Sequence, residues 1–341
     1  MRSRTTHTSP VASSSQVRRY LVAGLQMLFV AAAYYLAAKI GLRLALVRGQ
    51  VTPLWPPTGI SLACLVLLGI RCWPGITAGA FLANVAFGPS LPAVVVISAG
   101  NTLAPICAYL LLTRVDFRAD LGRLRDALAL IGLGAFIGML VSATIGSSTL
   151  LVAGALSHGD FWATWSVWWT GDAMGVLVVA PVLLVAATTP WRRSVSPARW
   201  LEAAALFVVA AVVTLFVTQS SEQLLFLIFP VLIWAAFRFQ QIGAVPCNLL
   251  VSVAVVLAAS AGHGPFAGLD TLPMMITLQM FNGAATLTAL LLAAITHERN
   301  EAQRSVEHAV AKLAGAVQML EPYSLLRNGL LADAFRKRDS S

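Results

Sequence analysis

Apolar stretches of about 20 residues recur along the chain from Tyr20 to Ile295, with almost no charge inside them. A helix of that length crosses about 30 Å of hydrocarbon. In lipid every backbone N–H and C=O must find a partner within the protein, so such segments fold as helices or as strands of a closed barrel. No alternation of apolar and polar residues over about ten positions marks barrel strands. Only 11% of the 341 residues are charged, against about 25% in soluble domains, too few to cover a water-facing surface. The predicted fold class is all-α: a polytopic transmembrane helix bundle of about 8–10 helices with both termini cytoplasmic.

Ten candidate spans emerge: 20–38, 55–70, 74–88, 92–112, 126–147, 165–187, 200–218, 223–238, 242–261 and 272–296. The third, short and rich in small residues, reads either as a span or as a re-entrant segment. An even count puts both ends of the chain on one side. One set of loops then receives Arg18, Arg19, Arg71, the Arg114–Arg125 group, Arg192, Arg193, Arg199, Arg238 and every cation from Arg299 onward, and the other receives only Lys39, Arg43 and Arg48. The positive-inside rule makes the first set cytoplasmic. The net charge of +9 is thereby read as topogenic charge, and no nucleic-acid partner is expected; membrane lipids are the expected surroundings. Residues 1–19, rich in Ser, Thr and Arg, read as a disordered cytoplasmic leader, because the apolar run that follows outlasts a signal-peptide core and no small-residue cleavage site ends it.

Polar groups inside apolar helices are costly, so each needs a reason. Asp172 is the carboxylate that falls within a span. Lys39 and Arg43, four residues apart on one helical face, are its candidate ion-pair partners; they read equally as side chains snorkelling to the outer headgroups. Asn84, Asn101, Asn248, Gln279 and Asn282 are expected to hydrogen-bond between helices or to line a shared cavity. Trp162, Trp165, Trp168 and Trp169 form a dense run that suits interfacial anchoring or stacking on a ligand. Gly75/Gly79, Gly134/Gly138 and Gly171/Gly175 permit close helix approach. The four cysteines read as small packing residues. No metal-ligand spacing is present and no cofactor is implied. The segments LVLLGIRCWPGITAG and LIWAAFRFQQIGAV echo one another, each a helix ending near an arginine with a small-residue helix after it.

The strings LWPPTGISLACLVLLGIRCWPGITAGAFLAN, WWTGDAMGVLVVAPVLL, FPVLIWAAFRF and GHGPF, then LQMF and a closing HERN, resemble the bacterial membrane-associated sensor 1 domain, the first of the MASE families, from about residue 20 to about 300. The resemblance implies an integral membrane sensory domain over 20–297, with a small ligand of unknown identity and no catalytic residues of its own. The motif positions it marks as candidate ligand or signalling residues are Trp55, Pro56, Pro57, Gly59, Asn84, Trp169, Asp172, Gly175, Pro181, His263, Gly264, Pro265 and Phe266. Relatives place a cyclase, phosphodiesterase, kinase or PAS output after this domain. Here only about 45 residues follow the last span, fewer than such a domain needs.

The segment 298–341 reads as a short cytoplasmic helical tail without an output domain. Val306, Val310, Leu313, Val317 and Leu320 recur at heptad spacing, a seam suited to a homodimer or to a separate signalling partner. The expected function is a multi-pass sensor of the bacterial inner (plasma) membrane that relays a stimulus and is not an enzyme. The alternative is a secondary transporter or permease for a small solute, which ten spans and buried polar residues would also suit.

Overall fold

In a computed structural model the described residues are 11–43, 52–190, 196–220 and 222–338; the side chains of 11–15, 271 and 316–338 lie outside that description, as do Arg48, Arg192 and Arg193. Nine helical elements, the eighth broken at Gln240, and no strand are found among the described residues: α1 Val11–Arg43, α2 Pro56–Leu68, α3 Trp73–Asn84, α4 Leu91–Arg114, α5 Leu124–Val152, α6 His158–Thr188, α7 Pro197–Gln219, α8 Ile228–Ser260 and α9 Thr271–Arg338. Seven of these carry apolar stretches long enough to cross a membrane. The protein is a multi-pass membrane protein, and its large apolar residues on α1 and α7, such as Phe29, Val212 and Phe216, face outward.

The helices run as alternating legs between two ends of the bundle. Gly41 near the end of α1 lies against Trp55 and Pro56, so α2 starts where α1 finishes. Farther along, Gly75 lies on Met27 and Gly79 on Tyr34, so α3 runs parallel to α1 and the chain reverses between α2 and α3. Gly69, with φ 84°, makes that reversal in a left-handed conformation open to glycine. On the other side of the bundle α8 also reverses. Its 33 residues would measure about 50 Å if straight, yet Gln223 before it donates to the Pro265 carbonyl after it at 3.4 Å. The turn is made at Gln240, with φ 54° and ψ −142°. It falls between the predicted spans 223–238 and 242–261, so α8 is two antiparallel legs. Both reversals lie in the two segments whose sequences echo one another.

The second span is corrected, the open reading of 74–88 narrows, and the first helix starts earlier than expected. Segments 55–70 and 74–88 do not form full spans: α2 and α3 have 13 and 12 residues, about 18–20 Å at 1.5 Å per residue. Prolines 56 and 57 start α2 and Gly69 stops it; α4 is reset by Ser90, whose hydroxyl accepts from the Ala93 N–H at 3.4 Å. The first helix starts by Val11, nine residues ahead of the predicted 20, so the disordered leader does not extend over Val11–Arg19; residues 1–10 lie outside the described ones. An apolar helix already formed extends through Ser and Arg at a cost of only tenths of a kcal/mol per residue.

Cations sort by end. Arg71, Arg114, Arg118, Arg123, Arg199 and Arg238 lie at the end where α2 turns into α3, α4 into α5 and α8 reverses; Gln241 ties that end together by donating to the Leu121 carbonyl at 2.8 Å. Arg238 pairs with Glu202. Arg123 grips the buried Asp126 through Nε at 2.6 Å and Nη2 at 2.9 Å. The described cations at the opposite end are Lys39 and Arg43.

The chain divides into two units, Met1–Ile295 and Thr296–Ser341. The second is helical over its described residues. There Val306, Val310 and Leu313 are all more than half exposed; the side chains of Val317 and Leu320 lie outside the described residues.

Within the first unit, backbones touch through glycine. A methyl group at Gly175 would overlap the Trp55 carbonyl, and one at Gly59 would overlap the Gly175 carbonyl. Gly175→Ala is expected to lower stability in lipid nanodiscs by about 1–3 kcal/mol. Gly283→Ala, where a methyl meets nothing within 4 Å, should leave the unfolding midpoint unchanged; equal shifts in the two variants would contradict this packing.

Candidate functional site

The site begins with a short stretch of chain, Thr52 to Trp55, that dips into the bundle ahead of α2. Four contacts hold it there. The Trp55 N–H donates to the Gly171 carbonyl of α6 at 3.0 Å. Gly171 lies against the Thr52 carbonyl and Gly175 against the Trp55 carbonyl, both too close for a side chain. Gln279 of α9 donates to the Pro53 carbonyl at 2.9 Å. The i, i+4 glycines of WWTGDAMG therefore make a bed for this segment, and Gly59 of α2 continues it one turn deeper.

Asp172 sits between those two glycines and is 2% exposed. Thr58, in the first turn of α2, donates to its Oδ1 at 2.6 Å. Ser142 of α5 donates to its Oδ2 at 2.5 Å, and Trp168 lies in the same cavity lining as the carboxylate. Three helices thus meet at one carboxylate. Hydrogen bonds to a charged group are worth about 1.5–3 kcal/mol each. α6 is π-helical over Gly175–Val179, immediately after Asp172. Pro181 follows and brings no N–H for the Leu177 carbonyl, which accounts for the loosened turn. α5 is π-helical over Leu130–Ile137, one turn before Ser142.

The ion pair expected between Asp172 and Lys39 or Arg43 is not formed. Both cations are exposed, and the Lys39 ammonium lies 5.3 Å from the centre of the Tyr35 ring. The hydroxyls reach the carboxylate from neighbouring helices, whereas a long cationic side chain gains more by staying at the wet end of α1.

Beside the carboxylate lies a cavity of about 70 Å³, enough for several waters or one small solute. Trp55, Phe87, Trp168, Asn84, Asn101 and Asp172 line it. It lies at the end of the bundle away from the arginines, under the turn between α3 and α4. Asn84 donates through Nδ2 to the Ala80 carbonyl at 2.8 Å. Tyr34 of α1 is buried in the cluster against which Trp55 packs, so a phenol lies behind the lining.

Of the motif residues, Trp55, Asn84 and Asp172 converge on the cavity, and Gly59 and Gly175 pack its floor. Pro56 and Pro57 start the helix that brings in Thr58. Trp169 faces elsewhere: its indole donates to the Phe136 carbonyl at 2.8 Å and stacks on Trp165 at 5.8 Å. Its neighbour Trp168 is the tryptophan at the cavity, one helical turn before Asp172 and on the same face. His263, Gly264, Pro265 and Phe266 form a separate corner. Gly264 has φ 57° and lies on the Thr218 carbonyl, Pro265 and Phe266 are buried, and His263 is exposed; this corner closes the end of α7 and α8 and does not touch the cavity. Sequence reasoning missed Tyr34, Thr58 and Ser142, whose hydroxyls carried no signal; it raised Trp168 only within the tryptophan run, and its spacing of four from Asp172 was the available signal for singling it out.

The sequence model of the MASE1 family matches residues 26–300, four-fifths of the chain. The chain belongs to the MASE1 family. MASE1 is a membrane-associated sensor domain and not itself a catalytic family. No curated protein and no solved structure matches the chain. The MASE1 motifs around Trp55 and Asp172 are therefore the residues that build one buried polar site, and the GHGPF motif builds a corner elsewhere in the same domain.

Thr58→Val and Ser142→Ala should each destabilise the folded protein by about 1–3 kcal/mol, and by clearly less once Asp172 is Asn, because both bond to that one carboxylate. Lys39→Gln should instead be additive with Asp172→Asn within about 0.5 kcal/mol. A double-mutant cycle by thermal unfolding in nanodiscs checks this; strong coupling of Lys39 to Asp172 would restore the ion pair.

Proposed function

We propose that this MASE1 protein is a sensory subunit of the bacterial inner membrane. It takes up a small ligand in the cavity beside Asp172 and passes the resulting shift to its C-terminal helix. The clustering of arginines at one end supports an orientation with that end in the cytoplasm, so the cavity would open toward the periplasmic side. The observation that carries the reading is the bond from Gln279 to the Pro53 carbonyl. It ties the lip of the cavity to α9, the helix that continues as the tail.

The loosened π-helical turns on α5 and α6 flank the carboxylate, so small displacements there need not break a regular helix. A ligand that contacts Trp55 or Trp168 would move the Thr52–Trp55 segment against its glycine bed, and Gln279 would follow. The tail would then engage a second copy of the chain, or a separate signalling partner, through the seam that begins at Val306, Val310 and Leu313. Their exposure supports that role.

Two tests apply to membranes holding the full chain, with its native cysteines replaced and a cysteine placed at Gln303. Val310→Asp together with Leu313→Asp should abolish cross-linking between protomers; unchanged cross-linking would remove self-association from the account. Asp172→Asn should change the cross-linking rate at least about threefold, and Gln279→Leu should suppress that change. A rate indifferent to both substitutions would contradict coupling between cavity and tail.

A further inference from the structure

Asp172 and Asp126 are both buried, but they are compensated differently. Asp126 is held by both donors of the Arg123 guanidinium. Asp172 meets no Lys, Arg or His among the described residues. Its hydrogen-bond partners are the neutral hydroxyls of Thr58 and Ser142. No side-chain cation among the described residues cancels the carboxylate's charge beside the cavity.

The rest of the lining has the same bias. Asn84 commits one of its two amide N–H groups to the Ala80 carbonyl, and its amide oxygen is an acceptor. Trp55, Trp168 and Phe87 contribute aromatic rings, whose faces carry negative potential. No cationic side chain lines the cavity among the described residues. Carboxylate, amide oxygen and three rings around about 70 Å³ form a surface that rejects anions and attracts a small cation, above all an amine or methylated ammonium whose methyl groups can lie on the rings.

We infer that the cavity takes a small organic cation, an amine or alkylammonium group, with Asp172 as its counter-charge and the rings of Trp55, Trp168 and Phe87 as its apolar walls. This inference rests on the cavity being the ligand site. It adds the charge of the ligand, which that reading leaves open. A group with only a few non-hydrogen atoms fits the volume, and it would enter from the end where α3 turns into α4, past Phe87 and Gly88.

The experiment uses the full chain in nanodiscs of zwitterionic lipid and follows tryptophan fluorescence and the unfolding midpoint. The probes are tetramethylammonium chloride, tert-butanol and sodium acetate at matched ionic strength. Tetramethylammonium should give a saturable change in emission and raise the midpoint, while tert-butanol and acetate give neither. Phe87→Leu, at a partly buried ring of the lining, should weaken tetramethylammonium about tenfold. Asp172→Asn, in whatever fraction runs as a folded monodisperse species, should abolish its binding. Binding of tert-butanol or acetate as tight as that of tetramethylammonium, and lost in Trp168→Leu, would keep the ligand cavity and overturn the cationic ligand. No saturable change with any of the three probes would overturn both.

Discussion

The domain is organised by a backbone-on-backbone contact: the Thr52–Trp55 segment lies in a bed made by Gly171 and Gly175 of α6, with Gly59 of α2 against Gly175 in turn. Side chains at these positions would hold the segment off, and its polar main chain would then face apolar surroundings without partners. With glycine there, the Trp55 N–H reaches the Gly171 carbonyl, and α2 starts deep in the bundle with its first turn facing Asp172. The carboxylate can be buried only because that start, and the hydroxyls of Thr58 and Ser142, are brought to it. The cavity, its aromatic walls and the link to α9 through Pro53 all follow from the depth at which this segment sits.

The same economy governs the ends of the helices. A chain in hydrocarbon keeps its backbone bonded, so it changes direction only where a special residue permits it. Gly69 and Gln240 do so with positive φ, in two stretches of similar sequence at the arginine-rich end. Between them the helices keep alternating, although α2 and α3 are little more than half a span long. Short legs of this kind place helix ends inside the protein, where a first-turn hydroxyl such as that of Thr58 can meet a carboxylate. Irregular backbone at such depth is tolerated when it is enclosed by protein or lines a cavity; here it does both.

Much of this was legible in the sequence. Apolar length and the sorting of arginines set the number and alternation of the legs, including the break between 238 and 242. Asp172 stood out because a carboxylate in an apolar run demands compensation. The partner that compensates it did not stand out. Lys39 and Arg43 were the charged candidates, whereas Thr58 and Ser142 are two of many hydroxyls, and only the fold decides which reach the carboxylate. Motif membership pointed to Trp169, while the cavity uses Trp168, its neighbour on a different face of α6. His263 and its neighbours are adjacent to nothing at the cavity, since motif order along a chain carries no distance between motifs. The lengths of α2 and α3 were overestimated because apolar residues run past Gly69 and toward Gly88, and only backbone geometry shows where the helices stop.

The most direct measurement of the central claim is solid-state NMR of the protein in lipid bilayers, with the Asp172 carboxyl carbon correlated through space to labelled serine, threonine and lysine side chains. The account predicts contacts from that carbon to Thr58 and Ser142 and none to Lys39. A contact to the Lys39 ammonium, or the absence of both hydroxyl-bearing neighbours, would contradict it.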